Sequence, residues 1–237
     1  MRLVTAGAAA EHVRTLFAAG ILACWSMAPQ AAETCNAPDA RGTVSCTAGM
    51  SEARIREIAI SQERSQWCWA ASMSMIFAHH GLRVPQEHIV KDVHGKVEDV
   101  NAPSGEAMTS ALRRRWRDQM GNQEFAVNTR TGDIAANRYE ITNAQIADEL
   151  TGGRPLLIGT KGHAMVLVKA NYERRTNGDV VITGGTVIDP MPDKGVRKLA
   201  RAEMVLSYVA AVEVSEVRDG AKVHALNTKA DDVGREF

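Results

Sequence analysis

The feature that most constrains the fold is a change in the spacing of apolar residues about two thirds of the way along the chain. Before that point apolar residues recur at helical spacing, as in residues 66–80, and Gly81 follows as a natural helix end. After it, short runs rich in β-branched residues predict strands at 156–159, 164–170, 180–188 and 205–214. Helices that precede strands, rather than alternate with them, predict an α+β fold and not a doubly wound parallel sheet.

Three more helices are predicted from prolines and capping signals, with starts at Pro85, after Pro103 and at Thr142. Thr142 and Gln145 have the spacing of a capping box, and a glycine pair at 152–153 is expected to end that helix. The helix after Pro103 is expected to carry four apolar residues on one face, namely Met108, Ala111, Leu112 and Trp116.

The N-terminus is predicted to be a signal for export. The first 32 residues contain two arginines, an apolar stretch at 16–23 and small residues at 25–32. The apolar stretch is too short for a permanent bilayer-spanning helix, so we expect a secreted or periplasmic protein, with cleavage after Ala28 or Ala32. Processing as a lipoprotein at Cys24 is the alternative.

Length and charge limit the domain count and the partners. A chain of 237 residues suits one globular domain with appendages. The predicted parts are a signal peptide at 1–32, an N-terminal extension at 33–56, a folded domain at 57–214 and a polar tail at 215–237. With 28 basic and 28 acidic residues, the chain has no net electrostatic attraction to nucleic acid or to an anionic membrane.

The four cysteines divide unequally, and one of them is left without an obvious partner. Cys24 falls in the predicted signal, while Cys35 and Cys46 lie in a Gly-, Pro- and Thr-containing stretch suited to a small disulfide loop. Cys68 is then the odd thiol, and an unpaired thiol in an exported protein indicates a use for it. Its place at the start of the 66–80 helix, between two tryptophans, favours the thiolate through free N–H groups and the helix dipole.

A histidine and an aspartate are predicted to meet on neighbouring strands. His163 directly precedes a strand, and Asp189 ends the next one. Asn177-Gly178 is a strong hairpin signal, so these strands run antiparallel, and counting outward pairs His163 with a residue near 192. A bulge at Gly184-Gly185 is expected to shift this register by about one residue towards Asp189. Asp193, in the following loop, is the alternative by counting alone.

Four residues in this order resemble the catalytic set of the papain-like cysteine peptidases: Gln62, Cys68, His163 and Asp189. The resemblance covers roughly residues 55–214 and is closest to the compact bacterial C39-like and AvrRpt2-like branch, in which a Cys-Trp-Ala-Ala run opens the central helix. It implies a papain-like fold, with the nucleophile helix of an N-terminal helical part packed on a C-terminal antiparallel sheet.

The resemblance also implies roles for these residues. Cys68 would be the nucleophile, His163 the base and Asp189 its orienting group. Gln62, six positions before the cysteine, would donate an N–H to the oxyanion hole, and Gln66 is the alternative donor. The expected substrate is a protein or peptide, and neither a metal nor another cofactor is needed.

The chain departs from better-known branches of that superfamily. Plant-type members use Asn where Asp189 stands, and the spacing of 95 residues between Cys68 and His163 is shorter than the roughly 130–150 of cathepsin-type enzymes. Cathepsin-like substrate preferences are therefore not expected. Two other functions use the same residues or fold: amide hydrolysis or acyl transfer on a cell-wall or isopeptide substrate, and a catalytically silent papain-like binding module.

Overall fold

The computed structural model describes residues 31–102, 105–120, 123–134 and 136–217. Most of the predicted signal peptide, including Cys24 with its lipoprotein alternative, and residues 218–237 of the predicted tail lie outside this part of the chain. No helix among the described residues is both long enough and apolar enough to cross a membrane.

Five α-helices and ten β-strands make up the described part of the chain. The helices are α1 Glu52–Ile58, α2 Cys68–His79, α3 Gln86–His94, α4 Gly105–Leu112 and α5 Asn143–Thr151. The strands are β1 Ala31–Cys35, β2 Val44–Met50, β3 Arg115–Arg117, β4 Glu124–Asp133, β5 Arg138–Tyr139, β6 Leu156–Thr160, β7 His163–Arg174, β8 Val180–Asp189, β9 Gly195–Lys198 and β10 Tyr208–Glu216. A short 3-10 helix, Arg201–Glu203, precedes β10.

The strands form one antiparallel sheet in the order β1-β2-β7-β6-β10-β4-β3. In addition, β8 pairs with β7, β9 pairs with β8 and β5 pairs with β4. Helix α2 packs against β7 and β6, and α5 packs against β2, β7 and β8. Because alternate side chains of a strand point to opposite faces, the sheet contributes to two apolar cores. One contains Cys68, Phe77, Ala164 and Val166, and the other contains Ile146, Leu150, Met165 and Leu167.

The predicted α+β class and antiparallel sheet are confirmed, and several local signals act as expected. Thr142 accepts a hydrogen bond from the backbone N–H of Gln145 at 3.2 Å and donates its own backbone N–H to the Gln145 side chain at 2.8 Å. This capping box begins α5, which ends at Thr151 with Gly152 as its C-cap. The predicted disulfide joins Cys35 and Cys46, which face each other across β1 and β2.

Strands β4, β5 and β9 are not predicted from the sequence, and two other segments differ from the sequence-based expectation. The segment 33–56, expected to precede the fold, contributes β2 and most of β1 and α1, and these strands extend the main sheet. Trp116, expected on the helix after Pro103, lies instead in β3, because that helix ends at Leu112. The side chain of Trp116 is nevertheless buried, and it packs against Phe77 of α2 at a ring distance of 5.3 Å.

Candidate active site

Cys68 is the first residue of α2, and the surrounding chain holds it at the edge of the apolar core. The preceding residue, Trp67, offers no side-chain cap, so N–H groups of the first helical turn stay available to a negative charge. The indole N–H groups of Trp67 and Trp69 donate to the carbonyls of Glu98 at 2.8 Å and Val100 at 3.1 Å. Both indoles are buried, so these bonds fix the orientation of the helix start.

A carboxylate next to the same segment holds the turn that leads into α2. Asp99 accepts hydrogen bonds from the Ser65 hydroxyl at 2.7 Å and from the backbone N–H of Gln66 at 2.8 Å. The segment 98–100 therefore supports both the turn before Cys68 and the tryptophans on either side of it. Cys68 itself is a free cysteine, and it is 8% exposed.

His163 is placed by a tight turn between β6 and β7. The last pair of that hairpin is Thr160 with His163, so only Lys161 and Gly162 form the loop. Both have positive φ, at 50° and 76°, as a two-residue type I′ turn requires. His163 is thus the first residue of a buried central strand, and its imidazole is 21% exposed.

Asp189 lies next to His163, as the hairpin count predicts. The Nε2–H of His163 donates to Oδ1 of Asp189 at 2.7 Å. Val166 pairs with Ile188, so Asp189 comes one position further along β8 and is a diagonal neighbour of His163. Asp193 occupies the exposed turn between β8 and β9, with φ of 65°, and the imidazole of His163 donates its hydrogen bond to Asp189 instead.

The strand register that aligns these two residues contains two irregularities. Thr183 of β8 and Val168 of β7 are both skipped in the pairing of the two strands. The skip at Thr183 lies next to the glycines where a bulge is expected from the sequence. Because one residue is skipped in each strand, the two offsets cancel before the strands reach His163 and Asp189.

Three donors surround the Asp189 carboxylate, which is 3% exposed. Besides His163, the backbone N–H of Met191 donates to Oδ1 at 3.0 Å, and Nε of Arg197 donates to Oδ2 at 2.8 Å. Burial raises the pKa of Asp189, but the hydrogen bonds from His163, Met191 and Arg197 together outweigh it and leave the pKa below its usual value. The carboxylate is therefore ionised and fixed in orientation. No pattern in the sequence predicts this role of Arg197.

The thiol and the imidazole shift each other's pKa in opposite directions. Burial raises the pKa of Cys68, but hydrogen bonds with the His163 side chain and with backbone N–H groups of Ala164 and Trp69 lower it below the usual value. The hydrogen bond with Cys68 raises the pKa of His163 to about 8, against the effect of burial and with help from Asp189. These opposite shifts favour a thiolate beside an imidazolium.

Gln62 lies close to this group, and its side chain faces the loop before α2. Its backbone N–H donates to the carbonyl of Pro190 at 2.7 Å, which links it to the end of β8. Its Nε2 donates to the carbonyls of Arg64 at 2.9 Å and Ser65 at 2.8 Å. Its buried Oε1 has no hydrogen-bond partner among the described residues. Gln66, the alternative, is tied through its backbone to Asp99.

A cavity of about 350 Å³ adjoins the imidazole of His163. Its walls come from α4, β6, β10 and the start of β7, and they include Met108, Leu157, Ala164 and Tyr208. The Tyr208 hydroxyl is hydrogen-bonded to Thr109 at 3.0 Å, which fixes one wall. This concave space, whose walls are more apolar than polar, lies beside the imidazole and suits a bound ligand.

Comparison with known proteins gives a family match and two similar solved structures. The model of the Peptidase_C39 like family matches residues 57–216. One similar structure is a double glycine motif protease from an AMS/PCAT transporter, in complex with the leader peptide. It has 18% identity and a TM-score of 0.40, over 67% of this chain and 91% of that chain.

The other is the peptidase domain of Streptococcus ComA, a bi-functional ABC transporter involved in a quorum sensing pathway. It has 13% identity and a TM-score of 0.39, over 66% of this chain and 96% of that chain. None of the curated proteins compared with the chain matches it. The family match spans about two thirds of the 237 residues, and the chain belongs to the C39-like family of papain-like cysteine peptidases.

Proposed function

We propose that this cysteine peptidase is an exported endopeptidase that works through a triad of Cys68, His163 and Asp189. The observation that carries the proposal is the position of His163, whose Nε2–H donates to Asp189 at 2.7 Å and whose imidazole interacts with the Cys68 thiol. The lowered pKa of the thiol and the imidazole pKa of about 8 both favour the reactive ion pair.

In the proposed reaction the Cys68 thiolate attacks the carbonyl carbon of the scissile peptide bond and forms a tetrahedral intermediate. The His163 imidazolium gives its proton to the leaving amine, the C–N bond breaks and a thioester remains on Cys68. Water then attacks the thioester while neutral His163 takes one of its protons. The thiolate leaves, the carboxylic acid product departs, and the imidazolium and thiolate are restored.

Asp189 has an orienting role in this proposal. Its Oδ1 holds Nε2–H of His163, which leaves the other ring nitrogen to exchange protons with Cys68 and the substrate. Its negative charge also stabilises the imidazolium. The carboxylate is buried and also accepts hydrogen bonds from Met191 and Arg197. These bonds keep it in place, so that it can hold the imidazole ring.

The oxyanion is assigned to the backbone N–H of Cys68 and the side-chain amide of Gln62. The first of these N–H groups belongs to the open end of α2. The Nε2 of Gln62 rests on two loop carbonyls, so its N–H reaches a substrate oxygen by exchanging one of these bonds. Loss of one such donor typically costs about 3 kcal/mol of transition-state stabilisation.

The substrate class and location belong to the same proposal. We assign a protein or peptide substrate, with a side chain in the cavity next to His163. Export is supported by the signal-like N-terminus and by the Cys35–Cys46 disulfide, a bond that forms in oxidising compartments. The proposed parts of the mature chain are an N-terminal extension at 33–56, whose strands join the sheet of the domain, the peptidase domain at 57–214 and a C-terminal tail at 215–237.

The test compares cleavage of a generic unfolded protein by the purified wild type, Cys68→Ala, Asp189→Asn and Asp193→Asn. We expect no cleavage by Cys68→Ala and a loss of roughly a hundredfold or more in Asp189→Asn, because the imidazole loses its orienting charge. Asp193→Asn removes the same charge four residues away on an exposed turn, so its activity should stay near wild type.

Equal cleavage by the wild type and Cys68→Ala would remove Cys68 from the reaction. A larger loss in Asp193→Asn than in Asp189→Asn would transfer the orienting role to Asp193. Absence of cleavage by every protein, with Cys68 still reactive towards iodoacetamide at pH 6, would favour a cell-wall or isopeptide substrate. Absence of both would favour a catalytically silent binding module.

A further inference from the structure

Charged and titratable side chains continue beyond Asp189 across the neighbouring strand. His163 lies on β7, Asp189 on β8 and Arg197 on β9. Asp189 pairs with Gly195 in the β8–β9 register, so Arg197 is two positions further on and points to the same face of the sheet. The three side chains therefore form a row across three adjacent strands.

Every N–H group of the Arg197 side chain has an acceptor. Nε and Nη2 both lie 2.8 Å from Oδ2 of Asp189. Nη1 and Nη2 donate to the two carboxylate oxygens of Glu203 at 2.7 Å and 2.8 Å. The remaining contacts are with the backbone carbonyl of Lys198 and the sulfur of Met165, both at 3.2 Å. A planar guanidinium held at this many points has a single orientation.

Glu203 is itself fixed by the fold. It belongs to the short 3-10 helix after β9, and its carboxylate also accepts the backbone N–H of Ala200 at 2.7 Å. Hydrogen bonds from Arg197 lower the pKa of Glu203 to about 2, so it remains a carboxylate throughout the working range of a peptidase. The negative charge of Glu203 holds the guanidinium of Arg197 next to Asp189. It also balances the positive charge of that guanidinium.

We propose that Arg197, held by Glu203, is a positioning residue of the peptidase that acts through Asp189 on the Cys68–His163 pair. This inference rests on the proposed triad. Arg197 occupies Oδ2 of Asp189, which turns Oδ1 towards His163 and keeps the buried carboxylate ionised. A buried carboxylate without such a partner rotates more freely and binds a proton more readily, and in either case it stabilises the imidazolium less.

The expected consequence of removing Arg197 is a change in how Cys68 depends on pH. Without the guanidinium, the neighbouring carboxylates of Asp189 and Glu203 lose the cation that lies between them, and both bind protons more easily. His163 then holds its proton less strongly, and the thiolate at Cys68 loses its counter-charge. The thiolate is the species that reacts with iodoacetamide, so its loss at low pH is measured directly, without a peptide substrate.

The experiment measures the rate of Cys68 alkylation from pH 5 to pH 9 in the wild type, Arg197→Ala, Arg197→Lys and Lys198→Ala. At pH 6 we expect the rate to fall about tenfold in Arg197→Ala, the change that one unit in a thiol pKa produces. Arg197→Lys keeps the positive charge but lacks the planar guanidinium with its several N–H donors, so it should recover part of the rate. Lys198→Ala removes a charge from the next, exposed residue of β9 and should match the wild type.

A purely structural role for Arg197 would lower the thermal midpoint and leave the pH dependence of alkylation as in the wild type, and that result would overturn the proposal. If Arg197→Ala does not fold, Glu203→Gln replaces it, with a smaller shift expected in the same direction and the same result against the proposal. Failure of the triad itself looks different, because the wild type would then show no alkylation at pH 6.

Discussion

The strongest single test of the thiolate–imidazolium pair is the proton affinity of His163 when the thiol is removed. The largest influence that raises the pKa of His163 is its hydrogen bond with Cys68, followed, among the raising effects, by its bond with Asp189. Cys68→Ala removes the first and leaves the second. Burial, which lowers the pKa, stays in place. We therefore expect the pKa of His163 to fall in Cys68→Ala, although Asp189 is still present.

The size of the effect follows from the shift in the wild type. The pKa of His163 rises from 6.5 to about 8, which corresponds to about 2 kcal/mol in favour of the imidazolium. The imidazole is 21% exposed, so solvent screens this interaction only in part. Since the hydrogen bond with Cys68 is the largest of the raising effects, the titration midpoint should move from about 8 towards the ordinary 6.5 in Cys68→Ala.

The assay is a pH titration of the histidine Cε1–Hε1 resonances by NMR, with His163 assigned through the missing peak of His163→Gln. Ser72→Ala is the matched control, because Ser72 is buried one helical turn after Cys68 and its hydroxyl has no partner among the described residues. This control should keep the midpoint near 8. A midpoint near 6.5 in the wild type, or the same midpoint in the wild type and Cys68→Ala, would refute the reasoning.

Two further predictions concern stability. The double variant Cys35→Ser, Cys46→Ser opens a loop with a sequence separation of 11, and its free energy of unfolding in urea should fall by about 3 kcal/mol; an unchanged urea midpoint would show that pairing of β1 with β2 needs no covalent link. Thr142→Ala removes the N-cap of α5 and should lower the free energy of unfolding by about 1 kcal/mol. Thr142→Ser keeps the hydroxyl and should match the wild type; an equal loss in both variants would count against the cap.

Local signals in the sequence predict much of the fold and the proximity of His163 and Asp189 in the candidate site. The capping box at Thr142 and the hairpin turn at Asn177-Gly178 are formed by a few adjacent residues, so their geometry depends little on the rest of the chain. The hairpin in turn brings Asp189 to His163, since antiparallel pairing is a matter of counting from the turn. One local feature, the turn at Asn177-Gly178, therefore predicts a contact between two residues that are 26 positions apart in the sequence.

Strand β4 shows why other elements were missed. Its side chains alternate between buried and less buried, but two of its buried positions are Thr129 and Thr131, whose polar hydroxyls hide the period of two in a reading by hydrophobicity. Trp116 was assigned to a helix because it lies four residues after Leu112, as the next residue on the same helical face would. In the structure the helix ends at Leu112, and Trp116 belongs to the strand that follows. In both cases, packing in the fold overrides a local pattern.

Arg197 was missed for another reason. Its strand, β9, has four residues and alternates weakly, and its partner Glu203 lies on a separate turn. An arginine next to a lysine in a polar stretch has the appearance of a solvated surface. Only the pairing of β8 with β9 shows that this arginine faces a buried carboxylate. Residues such as Arg197, which act on a site through another side chain, are difficult to predict from a single sequence.

The paired irregularities at Val168 and Thr183 have a consequence for how this protein tolerates changes in length. They show that the β7–β8 hairpin accommodates an extra residue in each strand between its turn and the site, without altering the pairing of Val166 with Ile188. Insertions near the hairpin turn can therefore be absorbed as bulges far from the chemistry. The end of the hairpin that carries His163 and Asp189 does not tolerate such a change, because a shift of one residue in the strand register would turn Asp189 to the opposite face of the sheet. Natural variation and engineered loops are best accommodated at the turn.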